Sequence, residues 1–167
     1  YVYGQTMFGK TQYGIVGCAA VDDYLNDMIK KHELTRPDKE EDRKTHIRMS
    51  NFNAEPVFFA YPPHVDIDKI VARIVHEDPE YDFTTEDGVG HHFWLISREE
   101  DILEITEIFD REIKCTYVAD GHHRTAAAAL VAIVLPQVYF QKTLLLDGDP
   151  LENDMTYMAM LRSTISS

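Results

Sequence analysis

A mixed α/β sheet with flanking helices, opening on an antiparallel hairpin, is predicted by three features of this 167-residue sequence. Tyr1–Phe8 alternates apolar with small or polar residues, turns at Gly9-Lys10, and continues into a second strand-like run from Gln12 to Val21. Later in the chain, apolar runs of strand length alternate with stretches of helical period. Finally, Cys115–Ala119 is an apolar run that ends in Asp120-Gly121 and opens into a segment carrying four successive alanines, Ala126 to Ala129. That order reads as strand, turn and helix.

The elements follow in sequence. Asp22-Asp23 predicts the cap of a short helix through Met28-Ile29. Pro37 suits the first turn of a helix that runs through Met49, because its missing N–H is not needed there. Val57–Tyr61 is a buried strand, ended by Pro62-Pro63. Asp66–His76 places Ile67, Ile70, Val71 and Ile74 at helical spacing. Glu77–Glu80 and Thr84–Gly90 read as loop or strand-edge material. His91–Ile96 is a strand, Ser97 a suitable N-cap, and Arg98–Phe109 an amphipathic helix. Cys115–Ala119 and His122–Leu135 complete the strand–helix alternation. No internal repeat or low-complexity tract is visible.

The length allows one substantial core. Hydrophobic residues at 44% and charged residues at 27% are ordinary for a soluble globular protein. A net charge of −13 argues against general nucleic-acid binding, which needs clustered Lys and Arg along a phosphate backbone. Cys18 and Cys115 have no metal or redox spacing and sit in apolar runs, as buried thiols do. No signal peptide and no apolar run of membrane-spanning length are visible, so no membrane partner is expected and the cytoplasm is the default compartment. The start at Tyr1 reads as the middle of a domain. The expectation is a fragment, in which Val131–Gln141 joins pieces that are not neighbours in the gene.

The chemistry is concentrated at Asp120-Gly121-His122-His123-Arg124. A helix start carries unpaired backbone N–H groups and the positive end of the dipole, which together attract anions. His122 and His123 add ring donors there, and Arg124 adds a planar fork that matches phosphate or carboxylate oxygens. Gly121 permits close approach of backbone or ligand. The alternative is a solvated helix start with Asp120 as a plain N-cap.

A second candidate region is Lys30–Arg43. Its charge run alone reads as a solvated helix face, with Lys39/Arg43 and Glu40/Lys44 four apart. His32-Glu33, however, precedes the helix and so lies on a loop, where chemical groups tend to sit. His91-His92 could join His122 or His123 in a metal site. Against that, adjacent strand residues face opposite sides, and no HxH, HExxH or cysteine pattern supports zinc. Asp147-Gly148-Asp149 lacks the remaining spacing of a calcium loop and reads as a turn. There is no GxxxxGK[ST], GxGxxG or GxSxG, so any nucleotide is held without a P-loop or a Rossmann site.

Four segments in order resemble the domain-of-unknown-function 1015 family, over about residues 1–130. They are the ADGHHR stretch with its small-residue helix; His32-Glu33-Leu34-Thr35 with Lys39, Asp42 and Arg43; Glu55 to Pro62, ending in Tyr61-Pro62; and Asp87-Gly88 through His92-Phe93-Trp94. Residues 131–167 resemble nothing in that family. The resemblance implies kinship with the ParB/sulfiredoxin-like fold, which includes ADP-dependent free-serine kinases. It further implies phosphoryl transfer from ADP or ATP, with Mg²⁺, to a small hydroxyl compound such as serine. In that scheme Gly121, His122, His123 and Arg124 hold phosphate oxygens, with Arg43 nearby. Glu33 is a substitute candidate for the carboxylate that orients or deprotonates the hydroxyl, and His32 is its neighbour. Asp120 either caps the helix or helps to place the metal. The reactive cysteine of sulfiredoxins is replaced here by His122-His123, which argues against that chemistry. A nucleotide-binding regulatory module without turnover is the second reading. A metal-dependent hydrolase built on His91, His92, His122 and His123 is the third.

Overall fold

The structure, a computed structural model, describes residues 1–50, 56–134 and 156–163. Its elements are β1 (Val2–Met7), β2 (Lys10–Ala20), α1 (Val21–Leu25), β3 (Ile29–Lys30), α2 (Pro37–Ser50), β4 (Val57–Tyr61) and α3 (Val65–Ile74). They continue with β5 (Tyr81–Thr84), β6 (Gly90–Trp94), α4 (Glu99–Arg111), β7 (Thr116–Asp120), α5 (His122–Val134) and β8 (Thr156–Ser163). The chain is thus mixed α/β, as its alternation of patterns predicts. It divides into two compact units whose segments interleave in sequence. One gathers Tyr1–Gly17, Ala60–Thr116 and Met160–Ser167; the other gathers Cys18–Phe59 and Tyr117–Ala159.

The first unit is built on an antiparallel sheet in the order β5-β6-β1-β2. Phe8 and Gly9 close the opening hairpin with φ of 50° and 74°. Two positive φ angles in a two-residue loop match the twist of the strands they join. Val2 stands opposite both Ile15 and Trp94, so these three share one face of the sheet. Ile67, Ile70 and Ile74 of α3 and Ile105 and Ile108 of α4 pack with them into one core. Trp94 donates its indole N–H to the Glu77 carbonyl at 3.0 Å. Gly4 lies under the indole, where a Cβ would come within 3.0 Å of the ring. Asp101, buried at the start of α4, accepts from Arg73 at 2.5 Å. A buried carboxylate needs such a partner.

The second unit orders its strands β3-β7-β4, with β8 beside β4. Ala126, Ala127, Ala128 and Ala129 are all buried, so α5 is covered around most of its circumference there, although Leu130 is exposed. Their small side chains admit α2, whose Ile47 packs on Ala127 and Val131. Apart from Ile47, α2 is almost wholly exposed and charged, with Pro37 at its first position and Arg48 in its last turn. Docking of one apolar residue on an alanine surface is what fixes this otherwise solvated helix.

Several local expectations are corrected. The helix that starts near Asp22-Asp23 stops at Leu25 instead of reaching Ile29, because Asp27 takes a left-handed φ of 59° and Ile29 turns into a buried strand. Ser97 is not the cap of α4. Arg98 holds that position with no side-chain capping bond, and instead pairs with Glu100 two residues on. Cys18 is exposed and Cys115 only half-buried, since the buried stretch of β2 ends at Val16. Asp147–Asp149, Leu135 and most of the Val131–Gln141 junction lie outside the described residues. No helix among the described residues is long and apolar enough to cross a membrane.

Candidate functional site

The site grows from the break between β7 and α5. Gly121 makes that break with φ at 91°, a conformation side chains disfavour. Space requires glycine as well: a Cβ there would lie 3.0 Å from Val57 Cγ1, 3.2 Å from Arg124 Nε and 3.3 Å from Arg124 Cζ. The Gly121 carbonyl then accepts from the Thr125 backbone N–H at 2.8 Å and from the Thr125 hydroxyl at 3.0 Å, which starts α5.

Arg124 folds back over this turn. One end of its fork donates to the Pro56 carbonyl at 3.0 Å, and the other pairs with the Asp120 carboxylate. In this arrangement Asp120 neutralises the cation one turn along, rather than capping the helix. Arg124 ties the end of β7 to the start of β4. The expected phosphate-holding fork is therefore directed at protein groups.

His122 is buried, 8% exposed. Its Nδ1 lies 3.7 Å from Glu33 Oε2, and the His32 ring stands edge-on to it with centroids 4.4 Å apart. The structure thus brings together His32-Glu33 and His122, segments almost ninety residues apart in sequence. His122 Nε2 and His123 Nδ1 are buried with no hydrogen-bond partner. Buried polar atoms are usually paired; His64 Nδ1 is a further exception among the described residues, but only these two are adjacent and at a helix start, which makes the helix start the candidate site. Burial, and then the neighbouring His32, push the His122 pKa below its ordinary value, while Glu33 and Asp120 oppose the shift. Arg43 lies exposed on α2, the helix packed on α5.

That shift has a testable consequence. The unfolded imidazole titrates near its ordinary value of about 6.5, above the folded one. Between those values the unfolded state binds more protons, so stability is fully present above about pH 7 and falls as the pH drops through the unfolded value. Denaturation midpoints at pH 7.5 and 5.5 should show a larger loss for the native chain than for His122→Gln. Equal losses would remove His122 from the pH response.

Glu33 turns its carboxylate to His122, and Asp120 turns its own to Arg124. Mg²⁺ wants uncommitted carboxylate oxygens beside substrate phosphates, and the Asp120 carboxylate is already paired with Arg124. The residues here do not form a magnesium cage. Among the described residues no group of three or more His, Cys, Asp or Glu could hold a metal ion. His91 and His92 are engaged within their own sheet. His91 Nδ1 meets the Tyr3 hydroxyl at 2.6 Å, and its ring stacks on Phe83. His92 lies 3.1 Å from the Thr6 hydroxyl and 3.0 Å from the Asp82 carboxylate.

Residues 1–139 match the model of a family described as a protein of unknown function (DUF1015). The chain belongs to the DUF1015 family. Comparison with curated proteins and with solved structures gave no significant match. The DUF1015 span contains every residue of the site, from His32 and Glu33 through Arg43 to Asp120–Arg124. Sequence reasoning missed the Pro56 carbonyl and Val57, which sit opposite the Gly121 turn. Their signal is that they lie in the family-like segment Glu55 to Pro62, and nothing local ties that segment to residue 121.

Proposed function

We propose that this DUF1015 chain, with a ParB/sulfiredoxin-like fold, is a nucleotide-dependent phosphotransferase acting on a small hydroxyl compound such as free serine. The observation that carries the reading is the meeting of Glu33 with His122 at a helix start whose buried ring nitrogens lack partners. Phosphoryl transfer needs an anion cradle on one side and a proton-handling group on the other, and little else from the protein. The first backbone N–H groups of α5 and the His123 ring supply the cradle in this reading. Arg43, exposed on α2, supplies a cation for the outer part of ADP or ATP. Mg²⁺, carried by the nucleotide, would neutralise phosphate charge. Free nucleotide and free serine place the activity in the cytoplasm.

The test is incubation of the purified protein with serine and either ADP or ATP, followed by ³¹P NMR. Phosphoserine should accumulate in proportion to enzyme, and His123→Ala should weaken nucleotide binding in calorimetric titration. A second reading, a binding module without turnover, is favoured by one specific observation: the Arg124 fork is held by Asp120 and Pro56. Saturable nucleotide binding with no phosphoserine would select it. Absence of both would remove the nucleotide from the site.

A further inference from the structure

Resting on the phosphotransferase reading, we infer that His122 takes the proton of the acceptor hydroxyl at Nε2, and that Glu33 is the carboxylate that positions it. The geometry changes the role given to His122 in the sequence, where it counted as a donor to phosphate oxygens. A neutral imidazole has one N–H and one lone pair, and whatever faces the first nitrogen decides which is which. Nδ1 faces Glu33 Oε2 at 3.7 Å. That is beyond hydrogen-bond reach, but an ionised carboxylate only accepts, and its charge favours the proton on Nδ1 and the lone pair on Nε2.

Nε2 is the atom that is buried without a partner. A lone pair there repels a phosphate oxygen and accepts from an O–H. It therefore suits the acceptor hydroxyl and not the nucleotide.

The surroundings keep the ring ready. Burial, and then His32 and His123, lower the proton affinity of the ring, while Glu33 and Asp120 raise it. A base must be unprotonated at the working pH and still willing to accept. Glu33 itself is exposed, with its carboxylate turned to the ring rather than away from it. The exposed His32 stands edge-on to His122.

The step balances within the named groups. The hydroxyl proton passes to His122 Nε2 as the hydroxyl oxygen bonds to the terminal phosphorus of the nucleoside polyphosphate. The bond from that phosphorus to the bridging oxygen breaks, and its electron pair leaves with the shortened nucleotide. The imidazolium faces Glu33 until it releases its proton to solvent.

Two measurements test the role. Long-range ¹H–¹⁵N NMR at pH 7, with His122 assigned by its loss in His122→Gln, should show the Nδ1–H tautomer, and Glu33→Ala should relax it towards Nε2–H. An Nε2–H tautomer in the native chain overturns the inference and leaves the phosphotransferase reading intact. The pH profile of kcat/KM for phosphoserine formation is the second. Its acid limb should move to lower pH in Glu33→Ala, because the carboxylate raises the proton affinity of the ring. His122→Gln should lose about 10²–10⁴ in kcat, with nucleotide affinity kept. An unmoved acid limb, or full turnover in His122→Gln, overturns the role. Absence of phosphoserine from the native protein, with the tautomer as expected, overturns the phosphotransferase reading and the role together.

Discussion

Gly121→Ala is expected to destabilise the fold by about 2–5 kcal/mol, the sum of about 1–2 for a side chain at positive φ and about 1–3 for overpacking. The φ of 91° supplies the first part. The second comes from Val57 Cγ1 at 3.0 Å and Arg124 Nε at 3.2 Å from the new methyl group. Val57 is a buried strand residue and cannot retreat, whereas Arg124 can. Relief would thus come by pushing Arg124 off Asp120 and Pro56, which loosens the joint between β7, α5 and β4. Urea denaturation followed by circular dichroism reads the effect. A midpoint within about half a kcal/mol of the native chain, the usual range of a neutral surface change, would show that the turn does not need glycine.

Trp94→Ala should cost about 3–5 kcal/mol, the usual range for deleting a large buried aromatic side chain. The ring fills the space over Gly4 and beside Tyr13, and its N–H satisfies the Glu77 carbonyl. Trp94→Phe separates the two contributions. It keeps most of the apolar contact, gives up the hydrogen bond, and should cost about 1–3 kcal/mol for the carbonyl left unpaired. Trp94 is the one tryptophan of the chain, so both variants must be followed by far-UV circular dichroism rather than fluorescence. Equal losses for Ala and Phe would mean that the hydrogen bond, not the packing, holds the indole.

Legibility varied with how local the cause was. Val57–Tyr61 could be read to the residue because an unbroken apolar run of strand length and the stop at Pro62-Pro63 are written in consecutive positions. The Gly121 break and the α2 start at Pro37 are likewise single-residue backbone effects. Ile29 was drawn into a helix because a two-residue strand leaves no periodicity, and the turn at Asp27 uses a φ that aspartate tolerates without advertising it. At the site, the residue types at Asp120–Arg124 and at His32-Glu33 were visible. Which of them touch was not, since the Glu33–His122 approach depends on β3, β7 and the docking of α2 on α5. Arg124 shows the limit most plainly. Its fork suits phosphate equally well in sequence, and only the Pro56 carbonyl, sixty-eight residues away, reveals what it holds.

The interleaving of the two units has a consequence for synthesis on the ribosome. Neither unit is a continuous stretch of chain, and each waits for residues beyond position 116 or 159 before its roster is complete. At about 5–20 residues per second, the roughly ninety residues between Glu33 and His122 take on the order of 5–20 s to emerge. During that time the charged α2 has no alanine surface to dock on, and for the first part of it, until Trp94 has emerged, the hairpin of β1 and β2 must stand without β6. A nascent chain halted before Gly121 should therefore be cut readily by protease within Pro37–Ser50, while one that has released α5 should resist.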